Sequence, residues 1–144
     1  MKRLLLVLLC LAVGIGGVTI MSAAVPAEEA REAPVQTRMS YVNSTLTSIS
    51  IVNGQAICVG TLIGYQGVTT KVEITLTLQF KTASSSTWSD YYKHPKQTFN
   101  TWRGTASCSP AVVRGYQYRT KALYTAYSGV KFESFIEYSP TQSY

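Results

Sequence analysis

Between Lys71 and Lys81 the chain alternates without error. Val72, Ile74, Leu76, Leu78 and Phe80 take one parity, and Lys71, Glu73, Thr75, Thr77, Gln79 and Lys81 the other. Successive side chains of a strand point to opposite faces, so this run specifies a strand with one apolar and one polar face. Strands of parallel sheets are covered on both sides and read as continuous apolar runs. Strict alternation instead belongs to an antiparallel sheet with its polar face in water.

The surrounding sequence agrees. It is dense in Thr, Ser, Tyr, Val and Ile, residues suited to a pleated, half-buried surface, and no segment after residue 37 has a helical period. Thr45 to Val52 reads as a strand, and Asn53-Gly54 supplies a two-residue hairpin turn because both residues tolerate positive φ. That turn pairs Ile51 with Ala56 and Ile49 with Cys58, and places all four on the core face. Gly64 to Gly67 is a turn into Lys71–Lys81, and a Ser-rich loop at 83–87 leads to a short strand from Trp88 to Lys93. His94-Pro95 ends that strand, since proline restricts both itself and its predecessor. A further strand within Lys96 to Cys108 carries Phe99 and Trp102, and Ser109-Pro110 interrupts the chain again. Ala111 to Tyr124 then reads as a long strand, with Tyr116, Tyr118, Ala122 and Tyr124 on one face and Arg119 and Lys121 on the other. Val130 to Tyr138 is the last strand and groups Phe132, Ile136 and Tyr138.

About seven short strands predict an all-β fold, an antiparallel β-sandwich of the immunoglobulin or fibronectin type III kind, with a small closed barrel as the alternative. Tyr116 or Tyr118, near the start of the sixth strand, suits a tyrosine corner. Trp88 follows Cys58 too distantly to be the core tryptophan of an antibody domain.

Residues 1–27 have the parts of a signal peptide. Lys2 and Arg3 precede an uncharged apolar run from Leu4 to Ile20, and small residues at Val25 and Ala27, or Ser22 and Ala24, offer a cleavage site. An uncleaved anchor is the alternative, weakened by Gly14, Gly16 and Gly17 within a run at the short limit for a bilayer span. Leu9 before Cys10 is not the small residue that lipid attachment wants. The expected organisation is a cleaved signal at 1–27, a flexible polar lead at 28–37 and one domain at 38–144, secreted or held at the cell surface, with no stable membrane span after cleavage. In an exported chain Cys58 and Cys108 are expected to form a disulfide between sheets, with two unpaired buried thiols as the alternative.

The chemistry is thin. A single histidine, His94, would have to serve any triad, and a Cys–His dyad would need Cys58 or Cys108, which the disulfide takes. Glu73, Asp90, Glu133 and Glu137 are the domain's carboxylates, and they read as solubilising charges rather than a glycosidase pair. No His, Cys or Asp cluster has metal-ligand spacing and no phosphate-binding loop is present, so no catalytic residue, metal or cofactor is expected. His94 between lysines reads as an exposed loop residue.

Charge is the positive signal. From Arg38 onward, 10 basic residues face 4 acidic ones, so the basic character belongs to the domain. The densest feature is WSDYYKHPKQTFNTWR at 88–103. Its Trp88, Tyr91, Tyr92, Lys93, Lys96, Trp102 and Arg103 form a candidate aromatic and cationic binding platform, unless the tryptophans are core residues. Nucleic acid is not expected as a partner, because export removes it and strand alternation separates the tyrosines from Arg119 and Lys121.

The stretch GVTTKVEITLTLQ at 67–79, Trp88, the segment RGYQYRTKA at 114–122 and the ending Ser139 to Tyr144 together resemble a family of small exported proteins of clostridia and related Gram-positive bacteria, classed as a domain of unknown function. The resemblance runs from about Ser48 to Tyr144; it implies export and a compact β-domain and carries over no catalytic residue. The resulting expectation is a secreted, non-enzymatic module that binds cell-wall polymer, a glycan or a surface protein. A toxin-like or antimicrobial effector and a hydrolase with an unrecognised site are the alternatives.

Overall fold

The computed structural model describes residues 39–144; the signal and lead expected at 1–37 lie outside the described residues. The described part is all-β and antiparallel, with no helix. Nine strands follow in order: β1 (Val42–Val52), β2 (Gln55–Gly64), β3 (Lys71–Lys81), β4 (Ser89–Lys93), β5 (Gln97–Phe99), β6 (Arg103–Cys108), β7 (Gln117–Ser128), β8 (Lys131–Tyr138) and β9 (Gln142–Ser143). One sheet has the order β1-β2-β6. The other has β4-β3-β7-β8, with β5 continuing the β4 edge along β3 and β9 extending the β8 edge along β7.

The hairpin register is the one the turn residues dictate. Asn53 and Gly54 have φ of 49° and 78°, and Ile51 pairs with Ala56 and Ile49 with Cys58. Strand β3 spans Lys71–Lys81 and lies between β7 and the β4–β5 edge. Its apolar parity builds the core, where Val72, Ile74, Leu76 and Leu78 are fully buried with Tyr118, Ala122, Tyr124 and Ala126 of β7. Facing them, the first sheet offers small residues: Ala56, Cys58 and Gly60 on β2, Gly104 and Ala106 on β6. A Cβ on Gly60 would stand 2.7 Å from Leu76 Cδ2 and 2.9 Å from the Tyr124 hydroxyl, and one on Gly104 would enter the Phe99 ring. One sheet thus supplies large side chains and the other the hollows that take them.

Four regions depart from the sequence pattern. The segment expected as one strand at 96–108 is two, because β5 pairs with β3 while β6 pairs with β2, and residues 100–102 carry the chain from one sheet to the other. The strand expected from Ala111 begins only at Gln117 and runs to Ser128. Gly115, at φ 91°, turns the backbone there, and the Tyr118 hydroxyl donates to the Val113 carbonyl at 2.8 Å and accepts from its N–H at 3.1 Å. Tyr118, rather than Tyr116, therefore fastens the corner that precedes β7.

Third, the two glutamates of β8 face inward. Phe132, Ile136 and Tyr138 do share a face, but they point outward and are 62, 47 and 48% exposed. The inward parity holds Glu133, Phe135 and Glu137, which pair with the buried Ala126, Tyr124 and Ala122 of β7. The carboxylates are not solubilising charges. Glu133 accepts the backbone N–H groups of Ser40 and Tyr41 at 2.7 and 3.0 Å, and Glu137 accepts the hydroxyls of Thr45 and Thr47. Beside them Tyr124 donates to the Leu46 carbonyl at 2.9 Å and Thr120 to the Ser48 carbonyl at 3.1 Å. Burial pushes the Tyr124 hydroxyl up to about 12, with the Thr47 hydrogen bond opposing it and the Glu137 charge adding to it. Side chains of β7 and β8 thus close the edge of β1 that no strand covers.

Fourth, Cys58 and Cys108 are free thiols, and they face each other across β2 and β6 within one sheet, not between sheets. The reason is the short crossing at 100–102, which brings β6 alongside β2. Ala56 N–H bonds the Pro110 carbonyl and Gly64 N–H the Trp102 carbonyl, so by alternation Cys58 and Cys108 occupy a hydrogen-bonded pair. Their thiols ionise as a pair. The hydrogen bond with Cys108 holds Cys58 below its usual range, and the same contact, with burial, pushes Cys108 up.

Two measurements follow from this arrangement. Glu137→Ala should cost about 1.5–3 kcal/mol in urea unfolding, the range for hydrogen bonds to a charged group, and an unchanged midpoint would refute the edge clasp. A hydrogen-bonded antiparallel pair has Cα atoms about 5.5 Å apart, inside the range a disulfide spans. Oxidised glutathione should therefore remove both free thiols from the folded monomer and, by closing a loop of roughly 50 residues, add up to about 4 kcal/mol. Thiols that persist until denaturation would contradict this.

Candidate functional site

The outward face of the β4-β3-β7-β8 sheet carries the domain's charge. Its polar parity on β3 lies beside the outward parity of β7 in the rows Lys81–Gln117, Gln79–Arg119, Thr77–Lys121, Thr75–Leu123, Glu73–Thr125 and Lys71–Tyr127. β8 extends these rows with Tyr138, Ile136, Ser134 and Phe132, and β4 adds Lys93 beside Thr77 and Asp90 beside Gln79. Nine Lys and Arg and four carboxylates fall within residues 39–144. Six of the cations (Lys71, Lys81, Lys93, Lys96, Arg119 and Lys121) stand on this face with only Glu73 and Asp90, because β8 has turned its two glutamates inward. The face thus holds four of the domain's net five positive charges.

A groove of about 540 Å³ crosses it between the β4–β5 loop and β8, floored by Thr75, Thr77 and Leu123 and walled by Lys93, His94, Lys96, Lys121 and Ile136. At one end Glu73 gathers Lys71 at 3.3 Å, Lys96 at 3.1 Å and the Tyr127 hydroxyl at 3.0 Å. Burial, the largest single influence, pushes the Glu73 carboxyl up, but the hydrogen bonds from Lys96, Tyr127 and Lys71 together outweigh it and hold it below the usual carboxylate range. Lys71 also lies over the Tyr127 ring at 3.7 Å, so this end is a cluster of two lysines about one carboxylate with one positive charge left over. Lys93 and Lys121 have no carboxylate within 4 Å among the described residues, and they leave the groove positive.

At the other end Arg119 is held from three sides. Its guanidinium lies 4.3 Å from the centre of the Trp88 ring and 4.0 Å from that of Tyr138, and its Nε donates to Gln79 Oε1 at 2.9 Å. Gln79 in turn donates to Asp90 at 2.7 Å. Thr77 and Gln79, expected in water, are only 6% exposed beneath these neighbours. His94, expected as an exposed loop residue, is half-buried: its Nε2 sits 2.9 Å from Gln97 Nε2, and its Nδ1 is buried with no partner among the described residues.

The platform expected at 88–103 is divided. Trp88, Lys93 and Lys96 meet on the groove face. Tyr91 is the extra residue of a bulge in β4 and packs edge-on against Phe80 and Tyr118, and Tyr92 stands beside His94 at the same edge. Trp102 and Arg103 belong to the other sheet: Trp102 bonds Gly64, and Arg103 pairs with Ile63 beside a separate hollow of about 370 Å³. The crossing at 100–102 separates the two halves. Arg119, Lys121, Gln79 and Tyr138 join the site instead. The alternation of β3 and β7 already marked the polar and basic faces; what was missing was that these two faces are one.

Chemically, the face can hold an anion and stack against a ring. Cys58 and Cys108 belong to the other sheet from His94, and Glu133 and Glu137 are engaged by β1, so none of the nucleophile or carboxylate pairs considered from sequence is assembled. Among the described residues no cluster of three or more His, Cys, Asp and Glu could hold a metal ion, and no helix is long and apolar enough to cross a membrane. No family model matches the chain, and no curated protein matches it either.

The Glu73 cluster gives a pH test. A carboxyl whose folded pKa lies below its unfolded value stabilises the fold above the unfolded value, about 4.3 for Glu, and that contribution is lost as pH falls through the folded pKa. Glu73→Gln should therefore lower stability at pH 6 and leave a flatter acid limb in thermal melts between pH 6 and 3. Parallel acid limbs for the variant and the parent would show that Glu73 gains nothing from the lysines.

Proposed function

We propose that this protein is a non-enzymatic binding module that holds an anionic polymer across the outward face of its β4-β3-β7-β8 sheet. The observation that carries the reading is the concentration of four of the domain's five net positive charges on that face, around a groove about 540 Å³ in volume. A cleft lined by one sign of charge focuses the field and raises the local concentration of an oppositely charged partner. An edge of Trp88, Tyr138 and Ile136 supplies apolar contact beside the charges. The signal-like residues 1–27 and the resemblance to small exported proteins of Gram-positive bacteria favour a cell-envelope polymer as the partner, and action outside the cell.

The strand order supports an immunoglobulin or fibronectin type III relationship. With β1, β2, β3, β6, β7 and β8 taken as strands A, B, C, E, F and G, one sheet reads A-B-E and the other C-F-G, with β4 and β5 added beside C. The Tyr118–Val113 bonds at the start of the F-equivalent strand match the tyrosine corner of such domains.

Retention on purified cell walls across a salt series tests the binding reading. We expect binding at low salt that weakens steeply as the Debye length shortens, and a Lys93→Glu/Lys121→Glu variant that is not retained. Absence of retention at the lowest salt, or full retention of the double variant, would refute it.

A further inference from the structure

We infer that Arg119 is the residue that recognises the anion, and that it reads a pair of oxygens on one oxyanion, a phosphate or a carboxylate carried by the polymer, rather than charge alone. The inference rests on the polyanion-binding reading above and adds to it a specific contact.

A lone surface arginine is a mobile charge, and ordering it against a ligand costs rotamer entropy. Here that ordering is already present before any ligand arrives. The centres of the Trp88 and Tyr138 rings lie 4.3 and 4.0 Å from the guanidinium carbon, and contact with aromatic rings is favourable for a planar, weakly hydrated cation. Gln79 occupies Nε, and the bond from Gln79 to Asp90 fixes which way the Gln79 amide points. Asp90 does not pair with Arg119 directly, and no carboxylate lies within 4 Å of the guanidinium among the described residues. Two rings and Gln79 hold the group, while the two terminal amino groups have no hydrogen-bond partner among the described residues. Two terminal nitrogens in one plane, held still and unpaired, match the fork geometry in which arginine takes two oxygens of a carboxylate or phosphate.

The surroundings extend the site along a chain. Lys121 is two residues on along the same face of β7, about 7 Å away at the strand rise. Lys93 lies across β3 in the same row as Lys121, with Thr77 between them, at about twice the strand spacing of 4.8 Å. A polymer seated with one oxyanion on Arg119 would place its next charges toward the groove, where these lysines act as unspecific positive neighbours.

Binding of the full chain to labelled inorganic polyphosphate and to poly-L-glutamate, measured across a salt series, tests the assignment. Arg119→Lys keeps the charge and removes the fork. It should weaken binding about tenfold while leaving the slope of log affinity against log salt unchanged. Lys93→Gln, by contrast, should reduce that slope with only a small loss at low salt. Tyr138→Leu, at an exposed position, should weaken binding several-fold at an unchanged melting temperature, and it keeps the test decisive should Arg119→Lys unfold the protein. A loss confined to one probe identifies phosphate or carboxylate as the source, and an equal loss for both assigns the shared oxygen pair. Wild-type affinity in both Arg119→Lys and Tyr138→Leu overturns this inference and leaves polyanion binding standing. Failure of both probes to bind wild-type protein at low salt overturns the two together.

Discussion

The inward turn of Glu133 and Glu137 sets the character of the molecule. β1 is an edge strand, and β8 brings two carboxylates to it, Glu133 to the backbone N–H groups of Ser40 and Tyr41 just before the strand and Glu137 to the hydroxyls of Thr45 and Thr47, while Tyr124 and Thr120 serve the Leu46 and Ser48 carbonyls. A charged acceptor makes stronger hydrogen bonds than a neutral one, so this closes an edge that would otherwise be a template for another chain. Side chains on a strand alternate, so the choice cannot be local. With 133 and 137 facing in, 132, 136 and 138 must face out. The same parity removes two negative charges from the outward face and gives it the Tyr138 ring and Ile136. The positive groove is therefore a consequence of how the opposite edge is closed.

Core packing supplies the rigidity the face needs. The first sheet contributes Ala56, Gly60, Gly104 and Ala106 where the second contributes Leu76, Tyr124 and Phe99, so the two approach closely. β3 and β7 pair along the whole of β3, from Lys71–Tyr127 to Lys81–Gln117. Every residue of the groove floor belongs to one of these two strands. Fixing side chains on such a floor adds little ordering cost at binding, since the backbone is already held by its ladder and its apolar underside.

Legibility in the sequence followed the physics of each segment. The bounds of β3 and the register of the β1–β2 hairpin could be read from sequence, since unbroken alternation and an Asn-Gly turn are local signals that leave one register, although β1 begins at Val42 and not at Thr45. In β8 the alternation groups Phe132, Ile136 and Tyr138 on one face, as found, but nothing within 131–138 reports which face is inward, so Glu133 and Glu137 read as solubilising charges when they are acceptors for the segment around β1. The crossing at 100–102 was invisible for a related reason. Phe99 and Trp102 look like members of one strand until β5 and β6 are seen to take different partners, and that one crossing divides the expected platform and brings the cysteines together. The site suffered most: Arg119 and Trp88 are 31 positions apart, and their stacking is a product of strand order, which composition does not encode.

The outward face also sorts its cations by what holds them. Lys71 and Lys96 share the Glu73 carboxylate, so half of their charge is offset within the protein. Arg119 has no carboxylate but is held by rings and an amide, an arrangement that fixes position while leaving the charge uncompensated. Lys93 and Lys121 have no carboxylate within salt-bridge distance among the described residues. The ring contacts tie β7 to the Trp88 and Tyr138 edges of the face and stabilise the cation there, without supplying a negative charge to cancel it. That distinction, more than the count of lysines, separates this face from an ordinarily basic surface.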